Sequence, residues 1–198
     1  MLVSSIIQFF IFLLLPITYW FFFVRKKDSF LNWIGVKKPI INDNKFFIIF
    51  TVFIICSFAL IGLTSILGVS KGAFATSQFT TFNISTIISI IIYSVIKTGL
   101  SEEIFFRGFL LKSISAKFNY KIANSIQAIA FGLVHGAIFL STGNIELIYV
   151  ILFAFATGII GWLFGYINEN KANGSIIPSW LIHSTANIIS SILSIMIV

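Results

Sequence analysis

Six apolar runs, each near the roughly 20 residues that a helix needs to cross a bilayer, leave little of this chain for anything else. They are Leu2–Val24, Phe46–Val69, Ile84–Phe106, Ile122–Leu140, Ile145–Ile167 and Ile176–Val198. The expected fold class is all-α: a polytopic transmembrane helix bundle of about six spans. The third run could extend to about Ser115 as an interfacial helix. Phe109-Leu110-Leu111 and Ile114 are followed there by lysines able to snorkel toward water.

Composition agrees. Of 198 residues, 58% are hydrophobic and 10% charged, with a mean hydropathy of +1.05, whereas a soluble domain is about 25% charged. No hydrophilic stretch is long enough for a soluble domain, so residues 1–198 read as a single integral membrane domain. Within it, residues 1–83 carry two spans and loops, and residues 84–198 carry the polar motifs described below. The N-terminal run has no basic residue before it and no small-residue cleavage site, and reads as a retained anchor. Cys56, the single cysteine, excludes an internal disulfide or a cysteine-based metal site.

The net charge of +7 does not point to nucleic acid. The cations gather in Arg25-Lys26-Lys27, Lys37-Lys38-Lys45 and Arg107-Lys112-Lys117-Lys121, between apolar runs. Basic loops on the cytoplasmic side, facing anionic membrane lipid, explain that distribution. With Lys171 also inside, eleven of the thirteen basic residues are cytoplasmic; Lys71 lies outside and Lys97 within a span. Both termini then face away from the cytoplasm. Gly158, Gly161 and Gly165 recur on one face of the fifth run, a helix-packing signature, and Pro16 and Pro178 are tolerated in membrane helices.

Three polar pieces interrupt this grease, each on a different span. An ionisable side chain near the centre of a membrane helix costs roughly 2.5–3.5 kcal/mol, so acids and histidines there mark function. The first piece is Glu102-Glu103…Arg107. Glu103 and Arg107, at i,i+4, share a helix face and can pair. Glu102 is rotated about 100° away, so it is expected to face a different neighbour and to point into a cavity. The second piece is Phe131-x-x-x-His135, with Gly132 and Gly136 permitting close helix approach. The third is His183-x-x-x-Asn187, an imidazole and a carboxamide on one face. At about 1.5 Å rise per residue, Glu102, His135 and His183 reach compatible depths in the inner half of the membrane. Their convergence on one cavity is the expectation.

Glu-Glu-x-x-x-Arg, Phe-x-x-x-His and His-x-x-x-Asn in this order resemble the CAAX protease and bacteriocin-processing (CPBP, or Abi) family of intramembrane endopeptidases. The resemblance runs from about Ile90 to Ile189, and Gly165 to Ser179 is similar to that family's approach to its last motif. It implies a catalytic core within residues 84–198. Glu102 and His135 would activate a water, His183 and Asn187 would form an oxyanion hole, and Glu103, Arg107 and Phe131 would support them.

The residue chemistry allows the same roles independently. A desolvated glutamate can serve as general base near neutral pH, and two side-chain donors on one face suit an oxyanion hole. Glu102, His135 and His183 could alternatively supply a His₂Glu zinc set. Against zinc, there is no His-Glu-x-x-His helix, and Glu103 would have to act as base while paired to Arg107. The resemblance favours a reaction with no cofactor. Asp28 and Asp43, the two aspartates, lie in a loop, so an aspartyl dyad is absent. The rival functions are a non-catalytic bacteriocin-immunity or scaffold protein and a proton-coupled transporter. No inverted repeat supports the transporter. The Ile-, Lys-, Asn- and Phe-rich composition suggests an AT-rich bacterial genome and hence a bacterial plasma membrane. Expected substrates are exported peptides, bacteriocin precursors or membrane-protein tails. The sequence carries no sign of an oligomeric state.

Overall fold

The computed structural model describes residues 2–68, 75–143 and 145–197. Among them there is no strand. The helices are α1 (Leu2–Val24), a short α2 (Phe30–Ile34), α3 (Asn44–Gly68), α4 (Ile84–Ser115), α5 (Tyr120–Leu140), α6 (Leu147–Lys171) and α7 (Ile177–Ile197). Four of these, α1, α4, α5 and α6, are long and apolar enough to cross a membrane. Helices α3 and α7 have comparable lengths of 25 and 21 residues. The chain is thus an all-α membrane bundle, as its apolar runs predict. Val69 and Val198, which close two of the predicted spans, and Lys71, placed outside the cytoplasm, lie beyond the described residues.

The helices begin where the sequence supplies an acceptor for the orphan N–H groups of a first turn. Asn83 accepts from Thr86 N at 2.9 Å and Asn119 from Ile122 N at 3.0 Å. Asp43 accepts from Phe46 N at 2.9 Å before α3. Pro178 stands in the first turn of α7, where a missing N–H costs nothing. Helix α4 is one continuous helix to Ser115, so the interfacial extension is part of the span's own helix. Its winding widens to the π type over Ile92–Leu100 and Ile104–Leu111, on both sides of the turn that carries the two glutamates. Thr98 Oγ1 donates to Tyr93 O at 3.1 Å and Ser101 Oγ to Ile96 O at 2.9 Å. These hydroxyls bond carbonyls five residues back, the same offset as the wide turns. Such π segments are frequent at functional sites.

Helices α5 and α6 form the tightest pair, and glycine makes it so. A Cβ at Gly132 would strike Ala154 O, and one at Gly136 would sit 2.8 Å from the Ala154 Cβ. A Cβ at Gly165 would run into the Asn124 carboxamide. In lipid the hydrophobic effect does not drive helices together, so close backbone approach and interhelical hydrogen bonds must. Asn124 Nδ2 donates to Trp162 O at 3.0 Å and Gln127 Nε2 to Gly161 O at 2.9 Å across that seam. Helix α7 packs on α3 and α4, and α1 flanks α4. Ile54, Ile160, Phe164, Ile167 and Ile182 form a buried core among α3, α6 and α7.

At one end of the bundle, three separate segments meet. Lys112 Nζ donates to Gly174 O at 2.7 Å and lies 3.8 Å from Glu169. Ser175 Oγ donates to Lys37 O at 2.6 Å, and Ile176 N to Gly35 O at 2.9 Å. The segment after α1, the end of α4 and the α6–α7 turn therefore share one end of the molecule. Those are the segments that carry most of the cations.

Gly132→Leu is expected to destabilise the bundle by about 1–3 kcal/mol, the cost of overpacking a closed seam. Thermal unfolding of the detergent-solubilised protein measures it, and an unchanged midpoint would refute the tight α5–α6 contact.

Candidate active site

Helix α4 delivers two adjacent acids into different surroundings. Glu103 is fully buried, and so is Arg107 one turn on; Arg107 Nη1 donates to Glu103 Oε1 at 3.0 Å. A buried pair holds only if its remaining lone pairs and protons are satisfied. Ser179 Oγ donates to Glu103 Oε2 at 2.5 Å, and His183 Nδ1 stands 3.1 Å from Glu103 Oε1. Ser179 in turn accepts from Asn168 Nδ2 at 2.7 Å. The guanidinium carbon of Arg107 lies 4.2 Å from the Phe131 ring centroid and 5.1 Å from that of Phe164. Its Nε and Nη2 have no hydrogen-bond partner, and the neighbouring ring faces provide the compensating cation–π attraction.

Glu102 is treated differently. Its Oε2 is buried yet accepts no hydrogen bond. It faces His135 Nε2 at 3.6 Å and His183 Nε2 at 3.9 Å. Both distances exceed a direct hydrogen bond. His135 Nδ1 lies 2.9 Å from Phe131 O; a carbonyl can only accept, so Nδ1 carries the proton. In neutral His135, Nε2 is then an acceptor turned toward Glu102. His183 is constrained likewise, because its Nδ1 meets the Glu103 carboxylate. Glu102 Oε2 and His135 Nε2 are thus two acceptors that face each other with no donor between them.

The predicted residues gather as follows. Glu102, Glu103, His135 and His183 form one cluster, and Arg107 and Phe131 brace it. Phe131 stacks at 4.2 Å on His135 and meets His183 edge-on at 6.3 Å. Asn187 lies one turn beyond His183 and donates to Thr98 Oγ1 at 2.8 Å; Thr98 precedes Glu102 on α4 by about a turn. One expectation fails. Glu102 and Glu103 do share a neighbour, because the His183 imidazole carries nitrogens on two edges and offers one to each acid. A rotation of 100° separates the acids along the helix but not around a ring lodged between them.

A cavity of about 380 Å³ reaches Glu102 and His135. Phe106, Val134 and Ile138 continue its wall, and α1 closes it with residues from Ser4 to Phe12. His183 and Asn187 do not line it; His183 is 3% exposed and sits behind Glu102. The single chamber expected from the sequence is thus open at Glu102 and His135 and packed shut at His183.

The zinc alternative would draw on Glu102, His135 and His183. Two imidazole nitrogens lie 3.6 and 3.9 Å from one oxygen. Among the described residues no group of three or more His, Cys, Asp or Glu side chains is arranged to hold a metal ion.

Sequence reasoning missed four contributors. Ser179 and Asn168 support Glu103, and their signal was a polar residue within an apolar run. Thr98 holds Asn187 and carries the same signal. The α1 wall carries none, since apolar residues in an apolar helix are silent.

A family model described as type II CAAX prenyl endopeptidase Rce1-like matches residues 84–189, more than half of the chain. No curated protein and no solved structure matches it.

Removing one member of the buried pair, by Glu103→Gln or Arg107→Met, is expected to cost about 3–5 kcal/mol, the penalty of stranding a buried charge. The double variant should lose clearly less than the sum of the two. Unfolding of all three proteins under one detergent condition tests this, and strict additivity would mean that the pair does not act as a unit.

Proposed function

The chain belongs to the type II CAAX prenyl endopeptidase Rce1-like family, an integral membrane protease, and on that premise we propose that it cleaves peptide bonds by a glutamate-activated water. The observation that carries this reading is the buried, hydrogen-bond-free Glu102 Oε2 facing the Nε2 atoms of two histidines. Polar atoms more than 3.5 Å apart, beyond a direct hydrogen bond, are where a bridging water is to be looked for. A water between Glu102 Oε2 and His135 Nε2 donates a proton to each acceptor and turns its lone pair outward.

The reaction follows from those positions. The water oxygen attacks the substrate carbonyl carbon while Glu102 takes its proton. The carbonyl π electrons move to oxygen, giving a tetrahedral oxyanion. Collapse re-forms the carbonyl and breaks the C–N bond, and Glu102 returns the proton to the departing amine nitrogen. His183, its Nδ1 held by the Glu103 carboxylate, donates to the oxyanion from Nε2. His183 is packed behind Glu102 with its Nε2 3.9 Å from the base, so it meets the oxyanion when bound substrate opens the cavity on that side. Asn187 uses one N–H on Thr98 and keeps its second for the substrate. Apo geometry of this kind tightens when substrate binds. No metal takes part in this scheme.

The substrates are membrane-associated or exported peptides, and bacteriocin processing or self-immunity is the fitting biological setting. The location is a bacterial plasma membrane, with the cationic end of the bundle in the cytoplasm and both termini outside.

Glu102→Gln, His135→Ala and His183→Ala are each expected to abolish cleavage by the inserted, folded protein. Asn187→Ala should lower kcat by about 10²–10³-fold, the usual cost of one oxyanion donor. Mass spectrometry of new peptide termini in membranes containing wild-type or Glu102→Gln protein supplies the readout. Near-normal cleavage by Glu102→Gln would end the glutamate assignment, and loss of wild-type activity on chelation, restored by zinc, would end the metal-independent one.

A further inference from the structure

We infer that α1, which lies outside the region matched by the family model, is the specificity wall of this protease: Ile7 and Ile11 select an apolar side chain beside the scissile bond of a peptide approaching from the lipid. The inference rests on the peptidase reading above and deepens it.

The cavity at Glu102 and His135 has three walls. Helix α4 gives the floor with Glu102 and Phe106, α5 gives Val134, His135 and Ile138, and α1 gives Ile7, Ile11 and Phe12. Apart from the reacting groups at its base, its walls are mostly apolar, so a charged substrate side chain would lose its hydration there without a partner. A volume of about 380 Å³ is at the small end of the range, about 300–1,000 Å³, typical of ligand sites. It accommodates a side chain and its peptide group rather than a packed helix.

The rim shows the direction of approach. Ile7 and Ile11 are 54% and 62% exposed, and Val134 and Ile138 across the gap are 43% and 55% exposed. In a membrane helix such exposed apolar residues face hydrocarbon. The cavity therefore opens sideways between α1 and α5, into the bilayer. Two kinds of contact hold α1 beside it. Gln8 Nε2 donates to Lys97 O at 2.9 Å, within the widened winding of α4. Phe12 packs edge-on against Phe105 at 5.4 Å. Ile7 and Ile11 flank the anchoring Gln8 and project from a pinned segment, as a selective wall requires.

The test uses the full chain in proteoliposomes and a mixed peptide library whose cleavage products are sequenced by mass spectrometry. The residue beside each cut is scored for wild type, Ile7→Trp, Ile11→Trp, Glu102→Gln and the control Leu14→Trp, which is exposed but away from the cavity. The wild type should cut beside large apolar residues. Either cavity tryptophan should lower kcat/KM for those substrates by about 10–200-fold, the range that pocket sterics deliver, and spare substrates with Ala or Gly there. Leu14→Trp should stay within about twofold of wild type, as a surface change does. An equal loss for all substrates, or an unchanged preference in both cavity variants, overturns the wall while leaving the protease intact. Wild-type cleavage that matches Glu102→Gln instead overturns the peptidase reading, and the wall with it.

Discussion

One carboxylate holds this bundle's polar centre together. Glu103 is fully buried and takes contacts from Arg107 on its own helix and from Ser179 and His183 on α7. Each of those partners is tied elsewhere. Arg107 lies against Phe131 of α5 and Phe164 of α6, and Ser179 is held by Asn168 of α6. Four helices thus meet at a single side chain. Placing a charge in such surroundings is unfavourable unless it is paired and hydrogen-bonded, and near-complete satisfaction of Glu103 is what makes the arrangement tolerable. The same requirement makes it rigid, because shifting any of the helices would leave a buried ion short of a partner.

Glycine lets that centre close. A Cβ at Gly161 would stand 3.1 Å from the Phe131 ring and 3.4 Å from Arg107 Nη2. With hydrogen there instead, the guanidinium can lie between the ring faces of two helices. Further along α6, Gly165 admits the Asn124 carboxamide, which bonds to Trp162 O. The small-residue face of α6 is therefore a mould for the polar side chains of α4 and α5, as well as a smooth surface for packing. Helix contact and the burial of polar side chains are one problem here, solved at the same two residues, Gly161 and Gly165.

The helices were legible in the sequence because the bilayer sets their length and leaves their backbone no other way to pair. The Glu103–Arg107 pair was legible because i,i+4 spacing fixes a shared face whatever surrounds it. Other features need tertiary structure. The widened turns on either side of Ser101–Glu103 lie where α1 and, over Ile92–Leu100, α7 pack against α4. His183 between two acids was missed because helix rotation was used to judge what a neighbouring ring could touch. Ser179 stands in a run of ordinary membrane polarity, and its importance comes from the carboxylate that meets it. The α1 wall is the extreme case, since in a membrane protein a lipid-facing isoleucine and a pocket-lining isoleucine have identical sequence signatures.

Glu102 and Glu103 are chemically the same side chain one residue apart, and their difference comes wholly from what surrounds them. Glu103 is saturated with donors, so its proton affinity and position are committed to structure. Glu102 has an oxygen that accepts nothing and two histidines turned toward it, each with its other nitrogen already engaged. A pair of facing acceptors, Glu102 Oε2 and His135 Nε2, is unfavourable by itself and becomes favourable when a donor with two protons is shared between them. In the proposed mechanism water is that donor, and donating both protons draws electron density onto its oxygen. The orientation of both imidazoles is set by groups that do no chemistry, the Phe131 carbonyl and the Glu103 carboxylate. In the proposed mechanism the saturated acid, in fixing His183, thereby supports the unsaturated one as the base.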